Sequence, residues 1–407
     1  MGKGTRRSGR LDRLGSAIFA EVAEWKEEAR RRGMDVIALD IGSPDGPPDA
    51  AVRRALAEAC LSPDQYRYPG TEGTPAFRRT AARWLERRFG VEVDPERELI
   101  ALIGTQDGLA HLALAVTDPG DAALLPDPGY PVYRAGATVA GAEAVPLPLR
   151  EESGYLPDFA AVPDAVWDRT AFMLLNYPSN PLTAVADLAF FEEAVAVARK
   201  RGVLLVHDNA YSEMAFDGFR PPSVLQVPGA LDVAVEFHSL SKSFNLAGAR
   251  IGYAVGNREA IEAMRLLKNN IDFGVFLPAQ QAGIAALERD MAAPQPVSRI
   301  YERRRDLFVR ALRGEGWDVP TPRATMFVWA PVPRGWRSRP FARALLRRAG
   351  VAVVPGSAFG ERGEGYVRLA LVQEEGRLLE AAKRIGAFLR SADPEEETEE
   401  GQAGGRG

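Results

Sequence analysis

From about residue 98 the chain alternates between short apolar runs and longer amphipathic stretches. Residues 99–103, 122–125, 143–147, 171–175, 203–206, 233–237 and 251–255 read as strands. Most lack the strict polar alternation of a half-exposed sheet, which predicts strands covered on both faces. Residues 106–116 read as an intervening helix, and so does a stretch capped by Asp187 that ends before Gly202. The texture predicts an α/β fold with a mostly parallel, seven-stranded sheet.

The two ends differ from this middle. Helices are predicted at 16–32, 49–59 and 75–89, with one short strand at 36–41. Past Leu277 come helices at 278–288 and 297–314 and strands at 327–331, 351–354 and 366–371. A helix capped by Ser338 ends before Gly350, and a last helix spans 375–389. The expected organisation is a large domain over 49–290 and a smaller α/β domain over 291–390. Residues 1–48 join the smaller domain, and a disordered acidic tail covers 391–407.

Composition narrows the function. The 407 residues are 46% hydrophobic, enough for two cores. A net charge of −4 speaks against nucleic acid as a partner. No apolar run reaches membrane-spanning length, and residues 1–13 are basic without an apolar signal core. Cys60 is the only cysteine, which excludes an internal disulfide and suits a reducing, cytoplasmic setting. His111, His207 and His238 are the only histidines, so no metal site is expected.

Six lysines stand against 45 arginines. Lys3, Lys26, Lys200, Lys268 and Lys383 occupy contexts that suit a solvated ammonium. Lys242 follows an apolar strand and lies within Ser239-Leu240-Ser241-Lys242. An amine placed there suits a Schiff base with a cofactor aldehyde, which a guanidinium cannot form.

Ligands collect beyond the carboxyl ends of strands in open α/β sheets. Four polar clusters fall at such ends: Thr105-Gln106-Asp107-Gly108, Asn176 to Asn180, Asp208 to Tyr211, and Ser239 to Lys242. The first opens a helix and suits a phosphate, or is an ordinary cap. Asp208 suits a pyridinium nitrogen, or caps a turn. Asn180 and Tyr211 suit a cofactor oxygen, or are turn residues. Tyr130 suits a planar ring, or covers a core edge. Arg250, flanked by apolar residues, calls for an anion. Arg368 lies mid-strand and is either a carboxylate clamp or a solvated residue. Walker A, HExxH and GxSxG patterns are absent.

Taken together, Ser239-Leu240-Ser241-Lys242, the later Arg250-Ile251-Gly252, Asn180-Pro181, Asp208 with Tyr211, and distal Arg368 resemble the class I/II, fold-type I pyridoxal-phosphate aminotransferases. The resemblance covers nearly all of residues 10 to 390. Its finer features are similar to the LL-diaminopimelate and alanine branch: Ile41 to Asp45, Pro126 to Pro131, His207 to Glu213, Val227 to Ala230, and Glu236 to Lys242.

The resemblance implies pyridoxal 5'-phosphate as cofactor and amino-group exchange with a 2-oxo acid. Lys242 would carry the cofactor and move the proton. Asp208 would meet the ring nitrogen, Asn180 and Tyr211 the ring oxygen, and Tyr130 the ring face. Thr105, Gln106, Asp107, Ser239, Ser241 and Arg250 would surround the phosphate. Arg368 would grip the substrate carboxylate, assisted by Gly42 and Asn180. Tyr68 would reach a neighbouring subunit's phosphate, which implies a homodimer with shared sites. Ala249 departs from the pattern, standing where relatives carry a bulky residue. A lyase or decarboxylase on the same fold is the first alternative, and a non-enzymatic regulator the second.

Overall fold

The computed structural model describes residues 8–14, 17–289 and 296–392. Its strands, in chain order, are β1 (Ile37–Ala38), β2 (Leu99–Leu102), β3 (Ala122–Asp127), β4 (Glu143–Pro148), β5 (Thr170–Asn176) and β6 (Leu204–Asp208). They continue with β7 (Ala234–Ser239), β8 (Gly252–Gly256), β9 (Phe327–Pro331), β10 (Val351–Ala352), β11 (Val354–Pro355) and β12 (Tyr366–Ala370).

Seven strands form the large sheet in the order β2-β8-β7-β6-β5-β3-β4. The β7-β6-β5-β3-β4 pairings are parallel, and β8 runs antiparallel to both β7 and β2. β2 and β7 are buried along their whole length; β2 is an unbroken apolar run, whereas β7 carries Glu236, His238 and Ser239 into the interior. One core cluster lies around Phe77, Leu85, Phe191 and Tyr253, and another around Ile100, Leu112 and Phe237. Each fully buried side chain of this size contributes about 1.5–3 kcal/mol.

The covering helices show their start and stop signals. Thr74 accepts from Phe77 N at 3.2 Å and Pro75 follows it, which starts the helix Pro75–Phe89; Gly90, at φ 69°, ends it. Asp187 accepts from Phe190 N at 2.9 Å and starts Leu188–Arg201, which Gly202 ends.

The remaining strands build smaller sheets. β12 pairs antiparallel with β9 and β11, and β1 pairs parallel with β10. The single strand expected at 351–354 is therefore two short ones, because the chain passes from one small sheet to the other at Val353. Ser338 is the first residue of the helix Ser338–Ala349, with Arg337 at the cap position. Glu364 takes over the capping, accepting from Ser338 N at 2.7 Å and Ser338 Oγ at 3.0 Å. Two further helices, Pro131–Ala140 and Arg258–Ile271, were not among the elements predicted.

No helix among the described residues is long and apolar enough to cross a membrane. Residues 391 and 392 complete the last helix, Glu375–Ser391, and its cap. The acidic tail from 393 onward lies outside the described residues.

Candidate active site

The polar clusters at the ends of β5, β6 and β7 meet the N-terminus of the helix Thr105–Val116 around a cavity of about 590 Å³. Gly42, Thr105, Gln106, Tyr130, Asn180, Asp208, Tyr211, Ser239, Ser241, Lys242, Arg250 and Arg368 all line it. A larger cavity of about 880 Å³ adjoins it behind Phe19, Tyr130 and Tyr133, but Lys242 and Asp208 do not line that one.

β7 delivers Lys242 through a single helical turn, Leu240–Ser243. Its Nζ donates to the Gly42 carbonyl. Burial, reinforced by the Arg368 and Arg250 cations and opposed by Asp208, lowers the amine from 10.5 to about 8. A lysine so placed is about half neutral near pH 8, where an ordinary lysine is almost wholly protonated.

β6 ends in Asp208, 5% exposed. Tyr133 Oη donates to Asp208 Oδ2 at 2.7 Å, and Ala210 N donates to Oδ1 at 3.2 Å. Burial raises the carboxyl above its ordinary value, against the pull of these donors and the nearby His207 and Lys242. Tyr133 was missed from sequence. Its signal was available: Pro131 starts a helix, and Tyr130 and Tyr133, three apart, share one side of its first turn.

Asn176 ties the neighbouring loop down. Its Oδ1 accepts from Asn180 N at 2.8 Å and its Nδ2 donates to Asp208 O at 2.8 Å. Asn180 Oδ1 then accepts from Arg368 Nη1 at 2.9 Å. Arg368, 3% exposed, also donates to Asp40 O at 3.2 Å and sits 4.2 Å from the Phe327 ring centroid. Its Nε is buried without a partner, and burial lowers it to about 10. A buried guanidinium with no carboxylate bonded to it is prepared for an anionic ligand.

At the other end, Arg250 adopts the left-handed conformation, at φ 52° and ψ 58°. Its guanidinium lies over Gly104, where any Cβ would collide with it. Gly104 immediately precedes the helix Thr105–Val116. Arg250, the hydroxyls of Thr105, Ser239 and Ser241, and the helix N–H groups thus form an anion cradle. Tyr130 is fixed at the cavity edge, donating to Gln106 Oε1 at 2.9 Å. Ala249 is half-buried against the large core and does not line the cavity.

Two predicted positions lie apart. Tyr68 is 82% exposed and outside the cavity. The Asp107 side chain turns away to Lys268 and His111, both at 3.4 Å. Lys268 corrects its reading as a solvated residue. It is fully buried and donates to Asp272 at 2.9 Å, because two acidic side chains from separate segments enclose it. Asp107, His111 and Asp272 have metal-like spacing, and Lys268 already supplies the cation between the two carboxylates.

An anion cradle, a buried carboxylate, a partly neutral lysine and an unneutralised arginine in one cleft fit pyridoxal phosphate with an α-amino acid. That is the chemistry of a transaminase. The family model described as aminotransferase class I and II matches residues 34–385, and the chain belongs to that family. Its members depend on pyridoxal phosphate, and the chain is an aminotransferase.

The chain is 46% identical over 381 residues to an LL-diaminopimelate aminotransferase of Moorella thermoacetica, covering 93% of this chain and 97% of the relative. A namesake from Desulforudis audaxviator is 47% identical over 381 residues, with the same coverage of 93% and 97%. Among solved structures, apo-BacF from Bacillus subtilis superposes with a TM-score of 0.91 at 38% identity, covering 94% of this chain and 98% of that one. A probable N-succinyldiaminopimelate aminotransferase from Thermus thermophilus gives 0.87 at 45% identity, covering 91% and 99%.

Proposed function

We propose that this chain transfers an amino group from LL-diaminopimelate, or a closely related amino acid, to a 2-oxo acid such as 2-oxoglutarate, in a ping-pong cycle. The substrate follows from the relatives that carry that name over 97% of their length. Alanine and aspartate are the competing donors. The observation that carries the amino-transfer site is the Lys242 amine, lowered to about 8 and facing Asp208 across one cleft.

When bound, pyridoxal phosphate supplies an aldehyde carbon and an electron-withdrawing ring that lets the substrate Cα–H bond ionise. Asp208 holds the ring nitrogen in its protonated form. Asn180 and Tyr211 hold the ring oxygen, and Tyr130 covers the ring face. Arg250, Thr105, Ser239, Ser241, Gln106 and the backbone at Asp107 hold the phosphate. Arg368 clamps the substrate α-carboxylate with Asn180 and the Gly42 backbone, so that Cα is presented to Lys242. The Lys242 Nζ, once neutral, would accept the substrate Cα proton and hold it for return within the same cleft.

The working unit is a homodimer. Tyr68 packs on Phe273 with centroids 4.9 Å apart, and Tyr66 lies 6.1 Å from Phe276. All four rings are at least 49% exposed, an apolar patch of the kind that marks an interface. Tyr68 then serves the partner's phosphate. Residues 49–290 act as the cofactor domain, and 1–48 with 291–390 as the substrate-closing one. The enzyme works in the cytoplasm.

A half-reaction screen tests this reading. Protein loaded with pyridoxal phosphate is mixed with single amino acids while its absorbance and the released oxo acid are followed. LL-diaminopimelate should react fastest, with one oxo acid per site. Stoichiometric ammonia or carbon dioxide would instead show a lyase or decarboxylase.

A further inference from the structure

Behind Asp208, on the opposite face of the sheet, lies a buried polar cluster that the reaction does not touch. His207 and Glu236 are register partners on β6 and β7 and are both fully buried; His238 is 3% exposed. Side chains alternate along a strand. His207 therefore points away from the cavity that Asp208 faces, and His238 away from the one Ser239 faces.

The hydrogen bonds in this cluster fix where the protons are. His207 Nε2 lies 2.9 Å from Tyr177 O, which can only accept, so Nε2 carries a proton. His207 Nδ1 lies 2.7 Å from Glu236 Oε2. Glu236 also receives Ser223 Oγ at 2.8 and 2.9 Å and Val224 N at 3.0 Å, and His238 Nε2 lies 2.6 Å from its Oε1. So many donors on one carboxylate leave it ionised. An ionised carboxylate only accepts, so His207 Nδ1 donates as well.

We propose that His207 is held as an imidazolium, clamped between Glu236 and the Tyr177 carbonyl, and acts as a positioning residue for Asp208. The clamp joins three segments from behind. Tyr177 leads into the turn that carries Asn180, His207 immediately precedes Asp208, and His238 precedes Ser239. A fixed positive charge one residue from Asp208 opposes the burial that would otherwise protonate it. Arg88, a cation bordering the cluster, lies 4.4 Å over the Phe89 ring and is paired with Glu213 at 2.8 Å. The rings of Phe191, Trp84, Phe89 and Tyr253 pack on the two imidazoles, with Phe191 4.6 Å from His207 and Tyr253 stacked 4.9 Å from His238. This inference deepens the cofactor reading above, and rests on it only for what Asp208 does.

The test has two readouts. The full chain, labelled with [15N]histidine and free of cofactor, contains three rings. At pH 8 one ring, distinguished from His238 by lacking contacts to Tyr253, should show protons on both nitrogens with slow exchange. A neutral tautomer at His207 overturns the proposal. The second readout is pyridoxal-phosphate titration of the His207→Gln variant. Glutamine keeps a donor for Tyr177 O but no charge, so the Asp208 carboxyl should titrate at higher pH. Relative to the unmodified protein, affinity should fall about tenfold further at pH 6 than at pH 8, because the carboxyl without the neighbouring cation is more readily protonated. An equal loss at both pH values, as a purely structural role would give, overturns the link to Asp208. If the unmodified protein binds no pyridoxal phosphate, the cofactor reading fails, while the nuclear magnetic resonance result still decides the state of His207.

Discussion

Tyr133 and Asp208, 75 residues apart in sequence, are joined by a 2.7 Å hydrogen bond from the phenol to the carboxylate. The tyrosine is fully enclosed, and burial together with Asp208 pushes its phenol well above the ordinary value, so it remains a donor throughout the working pH range. It stabilises Asp208 in the charged form that a pyridinium requires. Tyr133→Phe removes this donor without opening a large cavity. Pyridoxal-phosphate affinity, measured by absorbance titration, should fall about tenfold, with thermal stability lowered by about 1–2 kcal/mol.

Arg368 acts on two partners. It offers its guanidinium to an anion, and its charge helps to lower Lys242. In Arg368→Gln the dissociation constant for amino acids in the half-reaction should rise on the order of 100-fold, as expected for losing a charged, forked contact. The Lys242 amine should also move up from about 8, because one of the cations that lowers it is gone. A higher lysine pKa means less neutral amine at a given pH. Attachment of pyridoxal phosphate to the variant should therefore be slower at pH 7.5 and recover as the pH is raised, which stopped-flow absorbance would record.

Much of this arrangement was legible in the sequence, and what escaped has identifiable causes. Strand ends were readable because buried parallel strands are continuous apolar runs, so the polar residues following them stand out. The helix Pro131–Ala140 hid behind Pro126-Asp127-Pro128-Gly129, which reads as loop, although Pro131 occupies a position where proline starts helices. The helix Arg258–Ile271 carried its own cap, Asn257, which accepts from Ala260 N at 2.9 Å. Lys268 looked solvated because Asn269 and Asn270 follow it near a helix end; Asp107, 161 residues earlier, is invisible to any local pattern. The Tyr133–Asp208 and His207–Glu236 pairs are likewise tertiary facts.

The enclosed Lys268 carries a stability prediction. Replacing it by methionine preserves the apolar stem but leaves Asp107 and Asp272 facing each other without their shared cation. Lys268→Met should lower unfolding free energy by about 3–5 kcal/mol in denaturant titration. A loss under about 1 kcal/mol would mean that the two carboxylates find another partner.

Shared sites can be tested by mixing inactive variants. Lys242→Ala lacks the amine, and Tyr68→Ala lacks the group expected to cross to the partner. If each site takes Tyr68 from the other subunit, a hybrid dimer has one intact site and one doubly defective site. Co-refolded mixtures should regain about a quarter of the unmodified activity on statistical grounds. No recovery, with hybrids verified by native mass spectrometry, would place both residues in the same subunit's site.

The most direct measurement is reduction of the pyridoxal-phosphate-loaded protein with borohydride, followed by peptide mass spectrometry. One phosphopyridoxyl group per chain is expected, on the peptide containing Lys242, and none in Lys242→Ala. Label on Lys26, Lys268 or any other lysine instead, or none in fully loaded protein, would contradict the assignment of this site.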